Sequence, residues 1–135
     1  MMKNRKLKFR VWDKKHKCLI SSDVTGQIGY LNYYIDMGGK ITREILGEDC
    51  GSIDRTTTES QENYIIQQFT GKIDKNGKEI YEGDILQHYG RNASTQLFTR
   101  LVLWDKQSAC FINLIEATPI EIIGNIFETP DLVPQ

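Results

Sequence analysis

The residues whose types and spacing most suggest chemistry lie between Phe69 and Leu86, where Asp74, Asn76, Glu79 and Asp84 are interleaved with Gly71, Gly77 and Gly83. Asp74-x-Asn76-Gly77-x-Glu79 resembles the front of an EF-hand calcium loop. That loop requires glycine at its sixth position and a bidentate glutamate at its twelfth; the twelfth position here is Ile85. The same residues suit turns better. Asn76-Gly77 is the strongest short hairpin signal, because a type I′ turn needs positive φ at both central residues and these two types tolerate it best. Ile73 and Ile80 are expected to flank it. Glu82-Gly83-Asp84 reads as a second turn, with glycine in positive φ and the Asp84 carboxylate accepting backbone N–H bonds. Asp74, Asn76, Gly77, Gly83 and Asp84 are therefore assigned to turn geometry.

Other constellations fall short of a site. His16 with Cys18, and His88 alone, are the only histidines, and Cys18, Cys50 and Cys110 contain no CxxC pair, so no zinc set is formed. Gly39-Lys40-Ile41 and Gly71-Lys72-Ile73 lack the Ser or Thr and the upstream glycine of a P-loop. No Gly-x-Ser-x-Gly elbow occurs. No catalytic residue, metal or cofactor is expected, and a non-enzymatic role is preferred.

A basic run is the strongest hint of a partner. Lys3, Arg5, Lys6, Lys8 and Arg10 precede Lys14, Lys15 and Lys17; such a run can track phosphates, and Phe9 or Trp12 can stack on bases. The competing reading is an edge strand kept from aggregating by its outward lysines. Lys6, Lys8, Arg10 and Trp12 are the candidate partner-binding residues, for a protein or a nucleic acid. The acidic stretch from Glu44 to Glu62 makes self-association through complementary patches an alternative. Trp12, Trp104, Tyr81 and Phe127 are read as core rather than as an aromatic platform, since each lies in a strand-like run.

Leu7, Phe9 and Val11 alternate with Lys6, Lys8 and Arg10, the period of a half-buried strand spanning about Leu7 to Trp12. A polar connection, Asp13 to Lys17, leads into Cys18-Leu19-Ile20 and completes a hairpin. Aromatic and β-branched residues mark a strand over Ile28–Ile35, closed by Gly38-Gly39. Residues 40–55 hold no period, and Thr58 with Gln61 forms a weak capping box. Tyr64–Phe69, Ile85–Tyr89, Leu97–Trp104, Ala109–Ile115 and Ile120–Phe127 read as further strands, and Pro130 and Pro134 as an irregular tail. Their spacing favours a small barrel or sandwich over a βαβ sheet. No internal repeat, low-complexity tract or linker is expected.

Composition bounds the class. The chain has 135 residues, 39% hydrophobic and 26% charged, with a formal net charge of -1. That size fits one domain with a sizeable core. The charge gives no global attraction to nucleic acid or anionic membrane. No apolar run is long enough to span a bilayer. Lys6, Lys8 and Arg10 interrupt what would be a signal h-region, so no export signal is expected. With three scattered cysteines, a reduced cytoplasmic compartment is expected.

Three blocks then carry a family resemblance: Lys8-Phe9-Arg10-Val11-Trp12-Asp13, the segment from Phe69 through Asn76-Gly77 and Glu82-Gly83-Asp84 to Ile85, and Ile122-Ile123-Gly124-Asn125-Ile126-Phe127-Glu128-Thr129-Pro130. Together, in this order, they resemble the YopX family of phage and prophage proteins. The resemblance implies a small protein of bacteriophage or prophage origin, in the bacterial cytoplasm, with an SH3-like β-barrel and no established activity. The expectation is one mainly β domain over residues 1–135. Its SH3-like barrel region is 64–130, and the N-terminal hairpins of 1–63 pack on it. The small β-rich fold without a catalytic constellation favours a binding module for a phage or host protein or for nucleic acid, with a self-associating, homo-oligomeric assembly protein as the alternative and an enzyme ranked last. No catalytic residue carries over.

Overall fold

The computed structural model describes residues 3–4, 6–21, 31–35, 41–46, 53–54, 61–90, 95–114 and 119–135. In chain order the strands are β1 (Phe9–Asp13), β2 (Cys18–Ser21), β3 (Leu31–Ile35), β4 (Ile41–Leu46), β5 (Ile53–Asp54), β6 (Tyr64–Ile73), β7 (Glu79–Tyr81), β8 (Asp84–Tyr89), β9 (Leu97–Leu101), β10 (Leu103–Asp105), β11 (Cys110–Ile112) and β12 (Ile120–Asn125). Single 3-10 turns occupy Gln61–Asn63 and Pro130–Leu132. The chain is mainly β. The aperiodic stretch 40–55 contributes β4, antiparallel to β3, and β5, antiparallel to β4. The glycine turn at 38–39 and the capping residue Thr58 lie outside the described residues.

Two compact units are present, Met1–Arg10 with Gln67–Gln135, and Val11–Ile66. The chain passes between them within β1 and within β6. In the second unit β1 lies between β2 and β6, with the Lys14 N–H donating to the Asn63 carbonyl at 2.8 Å. Val11 and Tyr64 are buried there, with Ile20 and Ile66 packed against them. The alternation read in the sequence places Val11 inward, as the burial of a strand face requires.

In the first unit β8 is the centre of an antiparallel sheet of order β12-β8-β9, and β6 pairs with β7. Ile80, Leu86 and Val102 form the core, surrounded by Phe111, Leu114, Ile120 and Ile122. The expected single strand over Leu97–Trp104 is interrupted at Val102. Its carbonyl accepts the Gly83 N–H at 2.8 Å and its N–H donates to the Asp84 carbonyl at 2.9 Å, so the turn before β8 takes this residue out of the ladder.

The hairpin between β6 and β7 differs from the expected type I′ turn. Gly77 has φ of 82°, but Asn76 is not among the residues of positive φ. The Gly77 N–H donates to the Asp74 carbonyl at 3.1 Å, and the Asp74 N–H donates to the Lys78 carbonyl at 2.8 Å. Ile73 therefore pairs with Glu79 rather than facing Ile80. The cause is the Asp74 side chain, whose Oδ1 accepts the N–H groups of Asn76 and Lys78 at 2.8 and 2.9 Å. This acceptor centres the turn on Asp74.

Gly83 is constrained twice. Its φ is +84°, and a Cβ there would collide with the Gln67 side-chain amide. At Gly77, φ is +82° but the space is open. Gly77→Ala is expected to cost about 1–2 kcal/mol, the left-handed penalty alone. Gly83→Ala adds overpacking and is expected to cost about 2–5 kcal/mol. Urea denaturation of the two variants measures the difference, and equal losses would show that the Gln67 contact carries no constraint.

Candidate functional site

The basic strand and the central turns meet in the first unit. Alternation puts Lys6, Lys8 and Arg10 on one side of the N-terminal segment, and the hairpin brings Glu79, Tyr81 and Asp84 opposite them. Lys8 Nζ donates to Glu79 Oε2 at 2.8 Å and Lys6 Nζ to Glu79 Oε1 at 3.2 Å. The Tyr81 hydroxyl donates to the same carboxylate at 3.0 Å. Arg10 Nη2 lies 2.6 Å from Asp84 Oδ1, with side-chain exposures of 11% and 1%. Its Nε donates to Gln67 Oε1 at 2.7 Å. The guanidinium also covers the Tyr81 ring, 4.7 Å from the centroid, a cation–π contact in a desolvated setting.

These contacts fix the electrostatics. Hydrogen bonding from Lys8 is the main force holding the Glu79 carboxyl down at about 2, aided by Lys6 and Tyr81 against the opposing effect of burial. Burial pushes Asp84 upward, opposed by the Arg10 charge and by the Tyr81 N–H that donates to Oδ2 at 2.8 Å. Burial would also raise Asp74, but the N–H groups of Lys78, Ile122 and Asn76 outweigh it and hold the carboxyl below its ordinary value. The Ile122 N–H reaches Asp74 Oδ2 at 3.2 Å, so one carboxylate fastens the hairpin turn to β12.

The sequence-selected residues thus separate. Lys6, Lys8, Arg10, Asp84 and the neighbouring Gly83 converge on one cluster, whereas Asp74, Asn76 and Gly77 form the turn beyond it. Trp12 belongs to the second unit, where it is buried. Tyr81 is buried and Phe127 half-buried. Trp104, read as core, is 42% exposed, because β10 and β11 form a two-stranded sheet of their own. Most of the acidic stretch Glu44–Glu62 lies outside the described side chains.

Gln67 is the member of the cluster that the sequence reading omits. Gln67 had a readable signal, a polar residue where the β6 alternation demands burial; it is 2% exposed. Asn125 is another such residue. Its Oδ1 accepts the N–H groups of Phe127 and Glu128 at 3.0 Å, closing the turn after β12. His88 is buried, stacked on Phe98 with centroids 5.5 Å apart, and its Nδ1 lies 2.9 Å from the Tyr89 carbonyl. Among the described residues no cluster of three or more His, Cys, Asp or Glu side chains could hold a metal ion, and no helix is long and apolar enough to cross a membrane.

A family model described as YopX protein matches residues 8–134. The crystal structure of protein EF1440 from Enterococcus faecalis is similar, with a TM-score of 0.58 and 26% identity, covering 97% of this chain and 100% of that one. The crystal structure of protein yopX from Bacillus subtilis shares the fold, with a TM-score of 0.57 at 19% identity over 94% of this chain and 98% of that one. No curated protein matches.

The depressed Glu79 carboxyl makes a pH prediction. A carboxylate whose folded pKa lies below its unfolded value stabilises the fold above the unfolded value, and that contribution is lost as pH falls toward the folded one. The stability gap between wild type and Glu79→Gln is expected to be full above pH 4.5 and to close as pH drops to about 2. Thermal melts of both proteins across this range check it. A gap independent of pH would mean that the Lys6 and Lys8 bonds do not depend on the Glu79 charge.

Proposed function

Because this chain belongs to the YopX protein family, the match taking in residues 8–134, we propose that it is a phage or prophage accessory protein. In this reading it acts in the bacterial cytoplasm as a non-enzymatic binding module for a protein partner. The supporting observation is how the chemically suggestive residues are employed. Asp74 and Asp84 accept backbone N–H groups, Glu79 and Asp84 hold Lys6, Lys8 and Arg10, and Gln67 holds Arg10. Each polar group of the cluster serves the fold. What the unit offers outward instead is apolar: Leu97, Leu103, Trp104 and Ile112 are exposed large side chains. Exposed hydrophobics on a small β unit suit protein recognition.

Binding of nucleic acid through the basic strand is the weaker route, since Lys8 and Arg10 are largely buried in ion pairs and phosphate tracking needs accessible cations. Capture with the tagged full chain from infected or lysogenic bacteria tests the reading. A discrete protein retained after nuclease treatment and at high salt is the expected result. Retention that nuclease or moderate salt abolishes would replace it with nucleic-acid binding, and capture of nothing would overturn it.

A further inference from the structure

The chain carries the same hairpin twice, although its sequence was expected to hold no repeat. Trp12-Asp13-Lys14-Lys15-His16-Lys17-Cys18-Leu19-Ile20 and Trp104-Asp105-Lys106-Gln107-Ser108-Ala109-Cys110-Phe111-Ile112 share Trp-Asp-Lys-x-x-x-Cys-x-Ile, and the two tryptophans of the protein open the two copies. The folds agree. Asp13 Oδ1 accepts the N–H groups of Lys15 and His16 at 2.9 and 3.0 Å. Asp105 accepts those of Gln107 and Ser108 at 3.3 and 3.0 Å. The fifth residue of each turn takes a left-handed conformation, φ 52° at Lys17 and 50° at Ala109, and a strand begins at the following cysteine.

Their surroundings do not agree. In the first copy β1 has β6 along its outer edge, and Val11 and Trp12 are 3% and 8% exposed. In the second, β10 and β11 pair only with each other among the described residues, and the equivalent Leu103 and Trp104 are 41% and 42% exposed. The first copy thus shows what covers this hairpin: an extended segment whose Tyr64 and Ile66 pack with Val11. Among the described residues flanking the second copy in sequence, Arg100 and Lys106 are exposed cations, Arg100 lying over the Phe98 ring, while the Asp105 carboxylate is engaged by its own turn. An acidic residue on the covering segment complements those two cations.

We propose that β10–β11 is a docking hairpin that takes an extended, apolar and acidic segment of a partner protein as a third strand along β10. The mode is strand addition, in which main-chain bonds supply attachment and alternate side chains supply selectivity. It rests on the reading of the chain as a protein-binding module and names the surface and the chemistry of the partner.

The test uses the full chain and, as probe, a synthetic peptide of its own residues 61–68, Gln-Glu-Asn-Tyr-Ile-Ile-Gln-Gln, which has the proposed chemistry. Indole N–H resonances are followed by two-dimensional NMR, and Trp104→Phe assigns the signal. The peptide is expected to shift the Trp104 resonance and leave Trp12 in place. Leu103→Lys should weaken binding about tenfold or more, the loss of an interface anchor, with an unchanged melting temperature. No Trp104 shift at millimolar peptide, or a titration that Leu103→Lys leaves unaltered, would overturn the proposal. A Trp104 shift on diluting the chain alone would also overturn it, by showing that a second copy fills the site. If Leu103→Lys still captures the wild-type partner from cells, the binding-module reading stands and this surface falls.

Discussion

The first unit depends on burying a charge pair. Asp84 and Arg10 are nearly withdrawn from water, a step whose desolvation cost is repaid only when both groups are fully hydrogen-bonded. Here they are. Arg10 reaches Asp84 and Gln67, and Asp84 also takes the Tyr81 N–H. Gln67 can stand close enough because Gly83 has no side chain. The same two turn residues organise the backbone: Gly83 and Asp84 exchange bonds with Val102, and the Gly83 carbonyl accepts the Ile126 N–H at 2.9 Å. Segments far apart in sequence therefore meet at one dipeptide. Removing one partner would leave an uncompensated buried charge, which costs more than the pair contributes.

The N-terminal cations show why local charge is a poor guide to surface potential. Read along the chain, Lys6, Lys8 and Arg10 form a basic strand. In the fold, each has an acidic partner more than seventy residues away, so little of that charge is left for a ligand. Lys6 remains mostly exposed, and its bond to Glu79 is the kind worth little by itself. The contact at Lys8, with its side chain 12% exposed, is better shielded.

What could be read from the sequence was whatever short-range chemistry decides. The alternation around Phe9 and Val11 and the acid–glycine turns are examples, as are the short strands of the C-terminal half. What could not be read was decided by distant neighbours. That Gly83 must lack a Cβ follows from Gln67, and the turn at Asp74 is centred by a side chain that also holds Ile122. Hydrophobicity placed Trp104 in the core, yet whether a hairpin acquires a covering strand is settled elsewhere in the chain. Two segments that share Trp-Asp-Lys-x-x-x-Cys-x-Ile and differ in exposure make this plain: the local code specifies the hairpin and is silent on its neighbour.

The interrupted composition of the first unit bears on how the protein is made. Met1–Arg10 belongs with Gln67–Gln135, and the whole second unit is synthesised between them. On a ribosome, Lys8 and Arg10 therefore emerge long before Glu79 and Asp84, and remain solvated until those acids follow. The Asp74 turn waits longer still, for Ile122. Vectorial synthesis thus allows the unit Val11–Ile66 to form early, while the unit built around it closes only after β12 has emerged. A change in the length of the interior unit would lengthen that wait, yet add only a slowly growing entropic cost to closure.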